Sequence, residues 1–379
     1  MQRSNIVLTA IAAMCGVVLS SFTAVATTID RSNYDRNMSI KLAEGRISST
    51  LSNFPLLVRL STARQPWFNP LECGTGGADL RFALPDDTLL AHEIDTWNPS
   101  GVSIVWVNVP VLSADTEIRA YWGVKDSSQA PAVTASDAWP DYVAVYHLGE
   151  GGTTAYDSSA NGYTAVNAAT VTAGANPPVG SCASIHDMYA TGVTDLTDPS
   201  AAKPLSDRSS VTFSAWVAID SFNTADQTYA QNARVELARK FNVSQRGKGG
   251  FACRYFADNS YTAAAHTANP YFGIFLDYGN GSNATENWNT TAPESNGNWL
   301  YLTCTVNGST VAKYINGELL YAAGVGNPRT LGHGILGPDT IPFDFGAADG
   351  VTPPEISSWA GMRWSGIGVT MNVSATSPS

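Results

Sequence analysis

Charge is scarce in this chain. Only 14% of its 379 residues are Asp, Glu, Lys or Arg, against roughly a quarter in an ordinary soluble domain. With a net charge of -11 and no cluster of Lys or Arg, nucleic acid and anionic membranes are not expected as partners. Long apolar runs are equally rare: beyond residue 26 none approaches the roughly 20 residues of a transmembrane helix. Histidine is limited to His92, His147, His186, His266 and His333, with no two at metal-binding spacing. A Gly-x-Ser-x-Gly elbow, a phosphate loop and a dinucleotide fingerprint are all missing. Nucleophilic, metal-hydrolytic and nucleotide chemistry therefore have no motif to stand on.

What is present begins with an export signal. Arg3 supplies a positive start, Ile6 to Phe22 an apolar segment, and Ala24-Val25-Ala26 a small-residue cleavage site before Thr27. Cys15 follows Met14 rather than the small residue a lipoprotein signal needs, so a soluble protein outside the cytoplasm is expected, secreted, periplasmic or at the cell surface. Four cysteines then remain, and an even number in an oxidising compartment favours disulfides, with three possible connectivities. The preferred pairing is Cys253 with Cys304, both in strand-like runs of one half. It leaves Cys73 and Cys182 as an inter-domain staple, with buried free thiols as the alternative.

Strand signals recur throughout. From Asn37 to Gly123 the runs MSIKLA, FPLLVRL, DLRFAL, LLAHEIDTW, VSIVWVNVP and EIRAYWG are short, rich in Val, Ile, Leu and aromatics, and bounded by turn residues. That is the pattern of a β-sandwich. VSIVWVNVP is apolar on both alternating faces, with Ile104 and Trp106 on one and Val105, Val107 and Val109 on the other, and should be a central strand covered on both sides. The succession FPLLVRL, GADLRF, EID-x-W, VWVNVP and YWG resembles the bacterial domain-of-unknown-function family numbered 2341, over roughly residues 30 to 140. The resemblance implies an exported protein with a sandwich often placed ahead of a laminin-G-like domain, and no assigned activity.

Residues 124 to 138 are poor in large apolar side chains and read as a linker. Beyond them, VYHLGE, the YDSSANG turn, FSAWVAID and the stretch Asn298 to Tyr321 together resemble a concanavalin A-like, laminin-G-type jelly roll over about residues 141 to 372. The last stretch carries two Asn-Gly pairs, Asn307-Gly308 and Asn316-Gly317, and predicts a three-stranded meander. Leu300, Leu302 and Cys304 should face the core, and Tyr301 solvent or a ligand. The whole is expected to be all-β, two sandwiches with the C-terminal one a concanavalin A-like jelly roll: leader 1–26, first sandwich 27–123, linker 124–140, jelly roll 141–379.

Three groups of residues invite a functional reading. Glu93-Ile94-Asp95 resembles the acidic strand of laminarinase-type hydrolases. Strand alternation aligns Glu93, Asp95 and Trp97, so the general acid such chemistry needs is lacking and no catalytic residue is assigned. The expected role is a polar face or a hydrogen-bond network ending at Trp97. Asp157 and Asn161 lie in a turn with oxygen-bearing side chains at alternate positions, which suits either a structural Ca2+ or an Asx-turn. In the Asn-rich loop 277–299, Trp288 with Asn287, Asn289 and Glu286 makes the best sugar platform, a ring for the C–H face and amides for hydroxyls. Trp67, Trp359 and Trp364 are weaker candidates, and Trp106 and Trp216 are expected in the core. The function expected is non-catalytic binding of a glycan or another extracellular ligand, with a glycan-active enzyme or a structural surface protein as the alternatives.

Overall fold

A computed structural model of the chain describes residues 27–43, 45, 47–149, 152–173, 178–180, 182–185, 210–222, 234–240, 250–256, 271–277, 285–293, 298–307, 310–324 and 359–370. The leader expected at residues 1–26, His186, His266 and His333 lie outside the described residues. Within them the chain is all-β, in two sandwiches.

The first half holds β1 (Tyr34–Lys41), β2 (Leu51–Leu60), β3 (Arg81–Ala83), β4 (Leu89–Leu90), β5 (His92–Thr96), β6 (Ser103–Leu112) and β7 (Glu117–Val124). They pair antiparallel into two sheets, β1-β7-β3-β4 and β2-β6-β5. Between the sheets Met38, Val58, Phe68, Leu80, Phe82, Leu90, Val105, Val107, Val109 and Trp122 form one buried cluster. Pro55 is tolerated because β2 is an edge strand, where a missing N–H leaves no ladder bond unmade. Beside the cluster, the buried Asp79 carboxylate accepts from the backbone N–H of Gly74, Gly123 and Val124, tying the loop before β3 to the end of β7.

Alternation is interrupted at one informative place. β5 pairs Ile94 with Val105 but Thr96 with Ile104, so an extra residue bulges at Asp95. A bulge resets which side chains face inward. Glu93 and Asp95 therefore share the outer face, whereas Trp97 packs on the buried cluster, correcting the expectation that all three align. Gly77, at φ +78°, accommodates the Trp97 ring: a Cβ there would lie 2.7 Å from it.

The second half holds β8 (Tyr142–Tyr146), β9 (Gly152–Ala155), β10 (Ala165–Ala173), β11 (Ala183–Ile185), β12 (Ser210–Phe222), β13 (Arg234–Lys240), β14 (Gly250–Phe256), β15 (Tyr271–Asp277), β16 (Thr285–Thr291), β17 (Trp299–Asn307), β18 (Thr310–Ile315), β19 (Glu318–Gly324) and β20 (Trp359–Thr370). One sheet has the order β19-β18-β17-β12-β20-β11-β10-β9, with β8 also on β20; the other is β13-β14-β15-β16. The meander forms as expected, and Asn316 and Gly317 adopt the positive φ of its second turn. Asn307, expected in the first turn, instead ends β17 and pairs with Thr310.

Phe213, Ala215, Val217, Leu300, Leu302, Val306 and Val311 are buried on one face of the large sheet, and Tyr255, Phe272, Ile274 and Leu276 are buried on the small one. A disulfide joins Cys253 on β14 to Cys304 on β17 and so links the two sheets. The staple expected between Cys73 and Cys182 is not formed. Cys73 is a free thiol packed against the first sandwich's core, and burial, with Asp79 and Glu72 nearby, pushes it up to about 12.

Beside Cys304, in register with it, Lys313 is fully buried. Its Nζ donates to the Phe272 carbonyl at 2.6 Å and lies 5.0 Å from the Tyr321 ring centroid.

Candidate functional site

The outer face of the β2-β6-β5 sheet is where the acidic pair stands. Glu93 accepts three hydrogen bonds: from Trp139 Nε1 at 2.6 Å, from Ser158 Oγ at 2.7 Å, and at His147 Nε2 over 3.0 Å. The other imidazole nitrogen, His147 Nδ1, lies 3.3 Å from Asp95 Oδ2, which also accepts from Trp106 Nε1 at 3.2 Å. Thr96 Oγ1 donates to Asp95 Oδ1. The side chains are largely removed from water, 13% exposed for His147 and Glu93 and 4% for Asp95. Burial alone would raise the Glu93 carboxyl; the hydrogen bonds and charge of His147, with Ser158 and Trp139, outweigh it and hold Glu93 below the usual carboxylate range.

Around this cluster the two halves of the chain meet. Trp139 packs edge-on or tilted against Trp106, Tyr142 and His147, with ring centroids 5.3, 5.2 and 5.7 Å away. Asn53 Nδ2 donates to Asp141 at 3.1 Å, and Arg59 Nη2 to the Pro178 carbonyl at 2.9 Å. Gly180 fits against Asp95: at φ +53°, a Cβ would sit 2.6 Å from both carboxylate oxygens. The stretch expected as a linker contains two 3-10 turns, Ser127–Gln129 and Ala135–Ala138, and is held by Arg81 on the Pro131 carbonyl and Asn108 on the Asp137 carbonyl. The polar network thus ends not at Trp97 but at His147, Trp139, Trp106 and Ser158.

Trp106 is accordingly only half-buried and not a core residue. It shares the face of β6 that meets the second half, while Val105, Val107 and Val109 take the core. A network of this kind needs a contact between residues 54 positions apart, Glu93 and His147. The sequence offered HEID and VYHLGE as separate signals and nothing to join them.

Asp157 organises the turn it begins. Its Oδ1 accepts from the N–H of Val145 and Ser159, and its Oδ2 from the Ser159 hydroxyl and the Tyr163 N–H, all at 2.8 to 2.9 Å. Asn161 Nδ2 donates to the Val143 carbonyl at 2.9 Å. Among the described residues no group of three or more His, Cys, Asp or Glu side chains is arranged to hold a metal ion.

The aromatic candidates separate. Glu286, Asn287, Trp288 and Asn289 lie in β16, the edge strand of the small sheet, with Trp288 in register with Ile274. The Asn-rich stretch expected as a loop is thus strand at its centre, consistent with its Thr and Trp content. Tyr301 lies on the face of the large sheet turned away from the inter-sheet core. Directly across from it stands Trp216, ring centroids 5.1 Å apart.

Trp216 is half-buried and not in the core as expected, because Phe213, Ala215 and Val217 already occupy the inward positions of β12. Along the same outer face run Thr212, Ser214, Thr303, Thr305 and Tyr314, all partly accessible.

Residues 190–341 match the concanavalin A-like lectin/glucanases superfamily. The lectin/glucanase match covers β12 to β19, the part of the second sandwich that carries both aromatic candidates. Among curated proteins none matches the chain significantly.

Among solved structures the chain is similar to the botulinum neurotoxin serotype C1 binding domain, with TM-score 0.37 and 13% identity over 61% of this chain and 48% of that one. It is also similar to an arabinofuranosidase complexed with arabinofuranosyl-alpha-1,2-xylobiose, with TM-score 0.40 and 10% identity over 86% and 59% of the two chains. A SAP-like pentraxin from Limulus polyphemus gives TM-score 0.26 and 14% identity over 43% and 64%. The chain spans about half the length of the neurotoxin binding domain. At these scores the likenesses carry no weight for function, and the fold assignment rests on the strand order and the lectin/glucanase match.

Proposed function

We propose that this is an exported protein whose second sandwich binds carbohydrate, or an extracellular ligand of the same ring-and-hydroxyl chemistry, without cleaving it. The observation that carries this reading is the Trp216–Tyr301 pair on the outer sheet face, flanked by the hydroxyls of Ser214, Thr303 and Thr305. Aromatic rings pack on the C–H face of a sugar while neighbouring hydroxyls meet its polar edge. The lectin/glucanase match supports the class of ligand. Glu286, Asn287, Trp288 and Asn289, placed in strand β16 with Glu286 and Trp288 alternating against Asn287 and Asn289, are kept as the second candidate site. The Cys253–Cys304 disulfide supports an oxidising compartment and hence export. We read the first sandwich as a relative of the 2341 family, on the motifs of its strands.

Absence of cleavage is proposed because hydrolysis by a carboxyl pair needs both groups on an open groove, whereas Glu93 and Asp95 share a buried histidine.

A glycan array probed with the wild type, Tyr301→Ala and Trp288→Ala tests the reading. Binding is expected in the wild type, about tenfold weaker in Tyr301→Ala, with no reducing ends released from the bound glycan. If no glycan binds, or both variants bind undiminished, the proposed surfaces are wrong. At Asp157 and Asn161 we propose the Asx-turn rather than a structural Ca2+, and the choice is tested separately. Because N–H and O–H donors already face both Asp157 oxygens, a chelator is expected to leave the melting midpoint unchanged; a midpoint that rises with calcium concentration would place the cation there.

A further inference from the structure

A histidine set between two carboxylates is sensitive to its own proton count. Neutral imidazole has one N–H to give, and imidazolium has two. Here Nε2 faces Glu93 at 3.0 Å and Nδ1 faces Asp95 at 3.3 Å, so both contacts are attractive only when the ring is charged. Removing the proton turns one contact into a lone pair against a carboxylate, inside a site with little water to relieve it.

The carboxylates do not depend on the ring alone. Glu93 keeps the indole of Trp139 and the hydroxyl of Ser158, and Asp95 keeps the indole of Trp106 and the hydroxyl of Thr96. Glu93 is thus held from the second half by bonds that do not change with the proton, Asp95 is held within the first sandwich, and the imidazole is the member whose bonding changes. Trp106 lies nearly parallel to it, interplanar angle 23° with centroids 6.2 Å apart, and Trp139 is tilted beside it at 5.7 Å.

We propose that His147 is a proton-dependent latch between the two sandwiches: charged, it ties the second sandwich to Glu93 and Asp95 of β5; neutral, it keeps only one of the two ties. The geometry makes the response one between domains, because both acids belong to β5 and the histidine follows β8. Of the other charged and titratable groups on the elements packed here, His92 of β5 turns inward against the Phe82 ring and Asp137 lies on the 3-10 turn beside β5. Arg59 on β2 is on the Pro178 carbonyl, Asp141 accepts from Asn53, and Asp157 accepts from Val145, Ser159 and Tyr163. Tyr142 is pushed far above its ordinary range by burial, then by Tyr301 and Asp141, and stays neutral.

The test uses the full mature chain from about pH 5 to about pH 9, the range in which an imidazole changes charge. His147 is followed by its ring NMR signals, and the junction by the hydrogen-exchange protection of the Trp106 and Trp139 indole N–H groups. Protection factors are expected to fall about tenfold or more as the His147 ring loses its proton, the loss of one charge-assisted bond. Asp95→Asn is the decisive variant. Its carboxamide can donate to the lone pair of a neutral ring, so protection should stay level across the same range. His147→Gln should show the weakened junction at every pH. If protection in the wild type ignores the state of the ring, or D95N responds to pH as the wild type does, the latch is refuted.

Discussion

At the scale of single residues, the least expected side chain is Lys313. Strand alternation puts it in line with Val311 and Ile315, both buried, and it goes inward with them. Loss of hydration pushes its amine down to about 7 from the ordinary 10.5. A folded state that holds the amine neutral, facing an unfolded chain that holds it charged, gains stability as pH rises through that interval and loses it as pH falls. The melting midpoint is therefore expected to climb from about pH 7 to about pH 10 by an amount on the order of 2 to 4 kcal/mol in stability. Lys313→Met should abolish the climb and match or exceed the wild type near pH 7, since replacing a buried charge by an apolar side chain of similar shape is often stabilising. A variant that melts lower at all pH values would show that the Nζ bond to Phe272 outweighs the desolvation.

At the scale of elements, β14 and β17 are held by the disulfide and β15 and β18 by Lys313, both links crossing between the sheets of the second sandwich. The bond spans 51 residues of sequence, and closing such a loop in the unfolded chain is worth about 4 kcal/mol on chain entropy. The double variant Cys253→Ser with Cys304→Ser should lower the melting midpoint of this sandwich by about 10 °C while leaving a first-sandwich transition in place. An unchanged midpoint would mean that strand pairing alone fixes the two sheets. The first sandwich needs no such staple, because its sheets close on one continuous apolar cluster.

At the scale of the whole molecule, the acidic motif is the junction rather than a catalytic strand. A bulge at Asp95 places two carboxylates on the outer face of β5 and gives Trp97 to the core. Gly180, Trp139, His147 and Ser158 then close over them from the second half. Under the proposed latch, the two sandwiches are joined through buried, charge-assisted bonds, and the outer-face aromatics Trp216 and Tyr301 belong to the half that carries His147. If the latch and the glycan surface both stand, binding measured above and below the titration of His147 would show whether one reports on the other.

The sequence by itself determined the class of fold, the meander, the inward set Leu300, Leu302 and Cys304, and Tyr301 on the opposite face, because all of these follow from a two-residue period and from the Asn316-Gly317 turn. These are local rules. The Cys253–Cys304 pairing was legible to the extent that both lie in strands of one half. The outward position of Trp216, the inward position of Lys313 and the fate of Glu93 and Asp95 were decided by tertiary structure. For Trp216 and Lys313 the period said which residues share a face and left open what lies against that face; for the acidic strand the bulge at Asp95 also moved Trp97 to the other face. For the acidic pair, the answer is a histidine 54 residues away, brought there only when the two sandwiches dock.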